Sequence, residues 1–205
     1  FGRPAGFVER QLRRWSQQWD ASKTGELPAL NGLRDELVRT LPPQRTAAIV
    51  HGDYRLDNTV LHPASPGRIV AVLDWEMSTL GDPFTDLGAL LAFWSEEADD
   101  AVLAAARIVA PVTAAEGFPT RVQVIERYAA QTGFDVSDAD WYQAFAFFKL
   151  ACELVEEGVA TVEDIDTVVR TTFGFRLPFF GPFAIADMAG LHTYLNCFES
   201  LQQHY

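Results

Sequence analysis

Between residues 46 and 75 this chain abandons the helical period that governs it on both sides. Three short runs rich in β-branched and apolar residues fall there: Thr46–Val50, Thr59–Leu61 and Arg68–Leu73. Runs of this length and composition predict strands. Pro63-Ala64-Ser65-Pro66-Gly67 between the last two predicts a hairpin turn. Before this window, Val8, Leu12, Trp15 and Trp19 recur at helical spacing and predict a helix over 6–19. Leu30, Leu33, Leu37 and Leu41 predict a second helix, ended by Pro42-Pro43. From Pro83 onward the period is helical again, with helices expected over 83–94, 98–110, 119–131, 138–157, 162–171, 183–189 and 191–203. Ser137 before Asp140 and Thr161 before Asp164 resemble helix-start signals. The fold expected is mostly α with one small β patch, and strands confined to 46–75.

Composition narrows the function classes. With 48% hydrophobic residues, 15 Phe and 5 Trp, the chain can bury a core. Its formal charge of −12 makes nucleic acid or an anionic membrane a poor partner by bulk electrostatics. The charge is uneven: residues 1–55 carry a net +3 and residues 56–205 a net −15. Cys152 and Cys197 form neither a metal spacing nor a disulfide framework. No apolar run reaches the roughly 18 residues of a membrane span, and residue 1 opens no signal peptide. A cytoplasmic protein is expected. The chain opens on Phe1 rather than Met, so it is expected to be a piece of something longer.

The polar chemistry clusters around the β patch. His51-Gly52-Asp53-Tyr54-Arg55-Leu56-Asp57-Asn58 precedes the hairpin, Leu73-Asp74-Trp75-Glu76 follows it, and Gly81-Asp82-Pro83-Phe84-Thr85-Asp86 comes next. Taken singly, these are ordinary turn residues. Taken together, two acidic loops at the two ends of a hairpin can bring Asp53, Asn58 and Asp74 to one place. That set suits phosphoryl transfer from a nucleotide, which needs a carboxylate to accept a hydroxyl proton and oxygen ligands for Mg²⁺. Asp53 suits the base. Asn58 supplies a neutral oxygen ligand and Asp74 an anionic one that bridges metal and phosphate.

The strings HGDYRLDN, VLDWE and GDPFTDLGALLAFW resemble the aminoglycoside-phosphotransferase-like kinases, in particular the branch linked to acyl-CoA dehydrogenases. FVERQLRRWSQQW and DADWYQAFAFFKLAC resemble the same branch. The likeness spans about residues 1–152 and implies a protein-kinase-like C-terminal lobe using ATP and Mg²⁺. It implies that Asp53 is the catalytic base and that Asn58 and Asp74 hold the metal and, through it, the nucleotide. It also implies structural roles for His51, packed under the loop, and for Asp86, anchoring the loop's backbone. It leaves the roles of Glu76 and Asp82 open, Glu76 between a place near the metal and a merely solvent-facing one. Residues 1–45 contain no glycine-rich strand–turn–strand, and Lys23 is their one lysine, so the region reads as a C-lobe without its N-lobe.

From about residue 153 the resemblance changes. EGVATVEDID and GPFAIADMAGL resemble the C-terminal helical domain of 3-hydroxyacyl-CoA dehydrogenases. Ile165, Val168 and Val169 read as core packing, and His192 and His204 as packing or surface residues. No dinucleotide-binding glycine fingerprint follows a strand, so hydride transfer is not expected of this chain. The function expected is an ATP-dependent phosphotransferase acting on a small-molecule hydroxyl, of low activity as a lone C-lobe. The alternative is a helical dimerisation or interaction module without catalysis of its own. Expected partners are the hydroxyl acceptor and an N-lobe, with neither nucleic acid nor membrane. The acceptor and the oligomeric state are not readable from these residues.

Overall fold

The computed structural model describes residues 2–23, 25–99 and 111–156. Helix α1 (Phe7–Ser22) and helix α2 (Pro28–Arg39) come first. Strand β1 (Ala48–Val50), strand β2 (Thr59–His62), strand β3 (Ser65–Val72) and strand β4 (Thr79–Gly81) follow. Then come helix α3 (Phe84–Phe93), helix α4 (Arg121–Thr132) and helix α5 (Ala139–Glu156). The architecture is the expected one, mostly helical with a small β component.

One apolar stripe on each helix builds the core. Phe7, Val8, Leu12, Trp15 and Trp19 of α1 meet Leu30, Leu33 and Leu37 of α2. Phe84, Leu87 and Leu91 of α3 and Trp141, Tyr142, Phe145, Phe148 and Cys152 of α5 complete the cluster. Trp19, Leu30, Leu91, Phe148 and Cys152 are fully buried. The indole N–H of Trp19 donates to Asn31 Oδ1 at 2.9 Å, so this ring is buried without stranding its polar atom. Helices α3 and α5 lie so close at Gly88 that a Cβ there would sit 2.3 Å from the Tyr142 carbonyl oxygen. Glycine is needed at that position because any side chain would separate the two helices.

Four expectations need correction. The β patch is two separate two-stranded antiparallel sheets, β1 with β4 and β2 with β3, rather than one patch ending at 75. Strand β4 was not expected, because three residues are too few for periodicity and its identity comes from pairing with β1. The hairpin turn is shorter than Pro63–Gly67: His62 pairs with Ser65, leaving Pro63-Ala64 as the turn. Ser137 does not cap α5. It turns back to bond Asp135, whose Oδ1 accepts the Ser137 N–H at 3.0 Å. A capping box appears instead at α4, where Thr120 and Gln123 bond each other's backbone N–H groups. Residues 94–99, 115–120 and 133–138 join the helices as loops and turns. The helices expected over 162–171, 183–189 and 191–203, most of 98–110, and the Thr161 signal lie outside the described residues.

Candidate active site

The two acidic loops meet at the open end of the β2–β3 hairpin. Thr59 pairs with Val72, so the residues just outside the ladder, Asn58 and Leu73, stand opposite each other. The Leu73 N–H donates to the Asn58 carbonyl at 2.8 Å. Asp74 is the next residue along. Register alone therefore places Asn58 and Asp74 at one end of the hairpin. Asp74 adopts a left-handed backbone, φ 62° and ψ 55°, and is the one non-glycine residue with positive φ among the described residues. Aspartate tolerates that conformation better than most residues.

His51 ties the loops together from below. It is 2% exposed, and its Nε2 lies 2.6 Å from the Leu73 carbonyl. The Asp53 N–H donates to its Nδ1 at 3.3 Å. An acceptor at Nδ1 and a carbonyl at Nε2 fix the neutral tautomer with the proton on Nε2. One imidazole thus spans from the Asp53 loop to the residue before Asp74. The Trp75 ring packs on it at 4.9 Å between centroids, and the Trp75 indole N–H donates to the Val72 carbonyl at 2.8 Å.

Asp86, in the first turn of α3, anchors the same loop. Its two carboxylate oxygens accept the backbone N–H groups of His51 at 2.6 Å and Gly52 at 2.9 Å. Burial raises its pKa, and these two bonds pull the other way. Gly52 has φ 94°, and a Cβ there would meet Met77 at 2.9 Å. The structural roles expected for His51 and Asp86 agree with this geometry.

Asp53 is partly buried. The Asn58 side-chain amide donates to the Asp53 carbonyl at 2.7 Å and to Asp53 Oδ2 at 3.0 Å. Both partners are acceptors, so the amide nitrogen must face Asp53, and Asn58 Oδ1 is left for another partner. Arg55 Nε lies 3.5 Å from the same Asp53 Oδ2. Glu76 and Asp74 are exposed. Asp82 is different: it is fully buried, accepting the Phe84 N–H at 3.1 Å and the Tyr142 hydroxyl at 2.9 Å. Burial raises its pKa and that of Tyr142. Asp82 joins the start of α3 to α5, a structural role.

Among the described residues, no group of three or more His, Cys, Asp and Glu side chains is placed to hold a metal. Asn58 and Asp74 offer hard oxygen atoms only, which suits Mg²⁺, an ion that keeps several waters and needs one or two carboxylates.

A cleft of about 640 Å³ opens beside Asp53, Gly52 and Arg55. Its far wall comes from α1 and α5, including Arg14, Trp15 and Lys149. Sequence reasoning read Trp15 as part of a helical stripe and assigned no role to Arg14 or Lys149. The available signal was Lys149 itself, a single cation inside the apolar run FAFFKLAC. Burial pushes the Lys149 pKa down, while Glu153, Asp53 and Asp86 pull it up.

Comparison with known proteins places this geometry. Residues 1–121 match the family model described as "Phosphotransferase enzyme family", and residues 143–205 match "3-hydroxyacyl-CoA dehydrogenase, C-terminal domain". The second match begins inside α5. The chain is 36% identical over 155 residues to acyl-CoA dehydrogenase family member 10 of Mus musculus, covering 75% of this chain and 14% of the relative. It is 32% identical over 161 residues to acyl-CoA dehydrogenase family member 11 of Homo sapiens, covering 74% of this chain and 19% of the relative. The chain thus spans less than a fifth of the length of these two relatives. A crystal structure of a candidate aminoglycoside phosphotransferase from Ralstonia eutropha superposes with a TM-score of 0.65 at 33% identity, over 86% of this chain and 55% of that one. No helix among the described residues is long and apolar enough to cross a membrane. With more than half of its residues in the first match, the chain belongs to the phosphotransferase enzyme family.

Proposed function

We propose that residues 1–152 act as the C-lobe of an ATP-dependent small-molecule kinase, with residues 153–205 as a tail akin to the 3-hydroxyacyl-CoA dehydrogenase C-terminal domain. The observation that carries the reading is the His51 bridge, which ties the Asp53 loop to the residue before Asp74. Asp53 accepts the proton of the acceptor hydroxyl. That oxygen attacks the γ-phosphorus of ATP, the bond to the bridging oxygen breaks, and ADP leaves. Both side-chain contacts to Asp53 fall on Oδ2, which leaves Oδ1 to receive the proton. Asn58 and Asp74 hold Mg²⁺, which when bound neutralises charge on the phosphates. Val60 and Leu73, on the same hairpin face as Asn58, are 39% and 49% exposed and offer an apolar platform to the nucleobase.

Residues 1–205 carry the base and the metal ligands but no glycine-rich phosphate-covering loop with a paired lysine. Positioning and charge stabilisation supply most of the catalysis in phosphoryl transfer. Transfer by these residues alone is therefore expected to be slow, and to rise when a kinase N-lobe is added in trans. The test is ATP-dependent phosphorylation of a panel of hydroxyacyl-CoAs, alcohols and aminoglycosides, with and without that lobe. Asp53→Ala should cut the rate about a hundredfold to ten-thousandfold. Turnover indifferent to Asp53→Ala would refute the reading. The match of residues 143–205 favours a second reading, a dimerisation or interaction module. Self-association that survives removal of residues 1–138, with no ATP-dependent chemistry in the intact chain, would select it.

A further inference from the structure

The cleft beside Asp53 has a chemistry that the overall charge of the chain hides. The chain carries −12, yet the charged residues lining the cleft are Arg14, Arg55 and Lys149 against Asp53 and Glu153. Arg55 is already engaged with Asp53 at 3.5 Å. With Glu153 counted against them, Arg14 and Lys149 leave one positive charge in excess. The rest of the lining is largely apolar, including Phe7, Trp15, Phe93, Phe145 and Leu150.

A second observation points to a ligand. One buried N–H donor on a cleft residue, Trp15 Nε1, has no hydrogen-bond partner. Trp15 is 7% exposed. A stranded buried donor costs about 1–3 kcal/mol, so native proteins seldom leave one without something to satisfy it. It lacks an acceptor, which an oxyanion supplies and an ammonium group does not. The Lys149 ammonium sits 5.4 Å from the centre of the same Trp15 ring. The α1 indole donor and the α5 cation therefore belong to one wall.

Resting on the kinase reading of Asp53, we infer that this cleft is the acceptor site and that its acceptor joins an apolar body to an anionic group, read by Lys149 and Arg14. The hydroxyl faces Asp53 and the apolar body lies along the aromatic lining. A polycationic amino sugar would meet Lys149, Arg14 and the unsatisfied Trp15 donor there, and is disfavoured by repulsion from the excess positive charge. Lys149 and Arg14 are specificity residues in this account, with no share in the proton transfer.

Binding to the intact 205-residue chain, measured by calorimetry without ATP, tests the inference. The probes share one hydroxylated alkyl body: hydroxydecanoate, hydroxydecyl phosphate and the uncharged decanediol, with an aminoglycoside as the cationic comparison. One or both anions should bind at least tenfold more tightly than the diol, and the tighter one identifies the anion. Lys149→Gln and Arg14→Gln should each weaken that anion about tenfold to a hundredfold and leave the diol unchanged, as loss of a charged hydrogen bond predicts. Lys149→Arg should restore most of the loss. Arg14 is exposed on α1, so its variant keeps the fold even if a change at Lys149 does not. Equal binding of anion and diol, tighter binding of the aminoglycoside, or indifference to both glutamine variants would overturn the inference. Failure of the kinase reading looks different: charge-dependent binding would persist while turnover ignored Asp53.

Discussion

Replacing Asp86 with asparagine removes one charge and almost no volume. The carboxylate accepts two backbone N–H groups, from His51 at 2.6 Å and Gly52 at 2.9 Å. Asparagine offers one acceptor oxygen, and its NH₂ must face the other N–H. One charge-assisted bond becomes a neutral bond, and the second becomes two donors facing each other. Hydrogen bonds to charged groups contribute about 1.5–3 kcal/mol and neutral ones about 1 kcal/mol, while a stranded buried donor costs about 1–3 kcal/mol. Against this, the raised pKa of Asp86 shows that its ionised form bears a burial penalty, which the neutral amide escapes. The net expectation is a loss of about 1–3 kcal/mol at pH 7. For a chain of this size that lowers Tm by roughly 3–10 °C. Urea unfolding followed by tryptophan fluorescence should show a lower midpoint with an unchanged slope. Amide exchange should show the Gly52 N–H losing protection, since it is one of the two donors concerned. A stability change under about 0.5 kcal/mol, with Gly52 still protected, would refute the claim that Asp86 anchors the loop.

Gly88→Ala places a methyl group against the Tyr142 backbone and should destabilise by about 1–3 kcal/mol in the same unfolding assay. Tyr142→Phe removes the hydroxyl that donates to the buried Asp82 carboxylate and should cost about 1.5–3 kcal/mol. The folded pKa of Asp82 is raised above its ordinary value of 3.8. Its share of stability is therefore fully present below that value and is lost as pH rises through the folded pKa. Asp82→Asn should flatten that part of the stability curve, measured as urea midpoints from pH 3.5 to pH 7. Burial pushes the Cys152 thiol up to about 12, so it should stay unmodified by iodoacetamide at pH 8 in the native protein and react once unfolded, as read by peptide mass mapping.

Much of the site was legible because its chemistry sits at fixed offsets along the chain. An acidic residue after His-Gly, an asparagine five residues on, and an aspartate after a strand announce themselves without tertiary information. The hairpin then converts sequence order into proximity through its register. Strand β4 was not legible, since Thr79-Leu80-Gly81 acquires its conformation only by pairing with β1. The hairpin turn was overestimated because Pro66 and Gly67 read as turn residues, yet both lie within β3. Ser137 misled because its side chain had a nearer partner in Asp135. The cleft was least legible of all. Trp15 and Lys149 lie on helices far apart in sequence, and Trp15 fits a core stripe as well as it fits a binding wall. The role of Asp82 was not legible, since its partner is the Tyr142 hydroxyl, 60 residues away.

The central claim is that the Asp53–Asn58 loop and Asp74 form one metal–nucleotide site. Paramagnetic Mn²⁺ in place of Mg²⁺, added with ATP to the isotopically labelled chain, tests it most directly. Amide signals of Asp53, Asn58 and Asp74 should broaden together at substoichiometric metal, ahead of those of other acidic surfaces. The effect should vanish in Asp74→Ala and weaken in Asn58→Ala, with the remaining spectrum unchanged. Broadening spread over the acidic surface, or broadening at these three residues that survives both substitutions, would contradict the account.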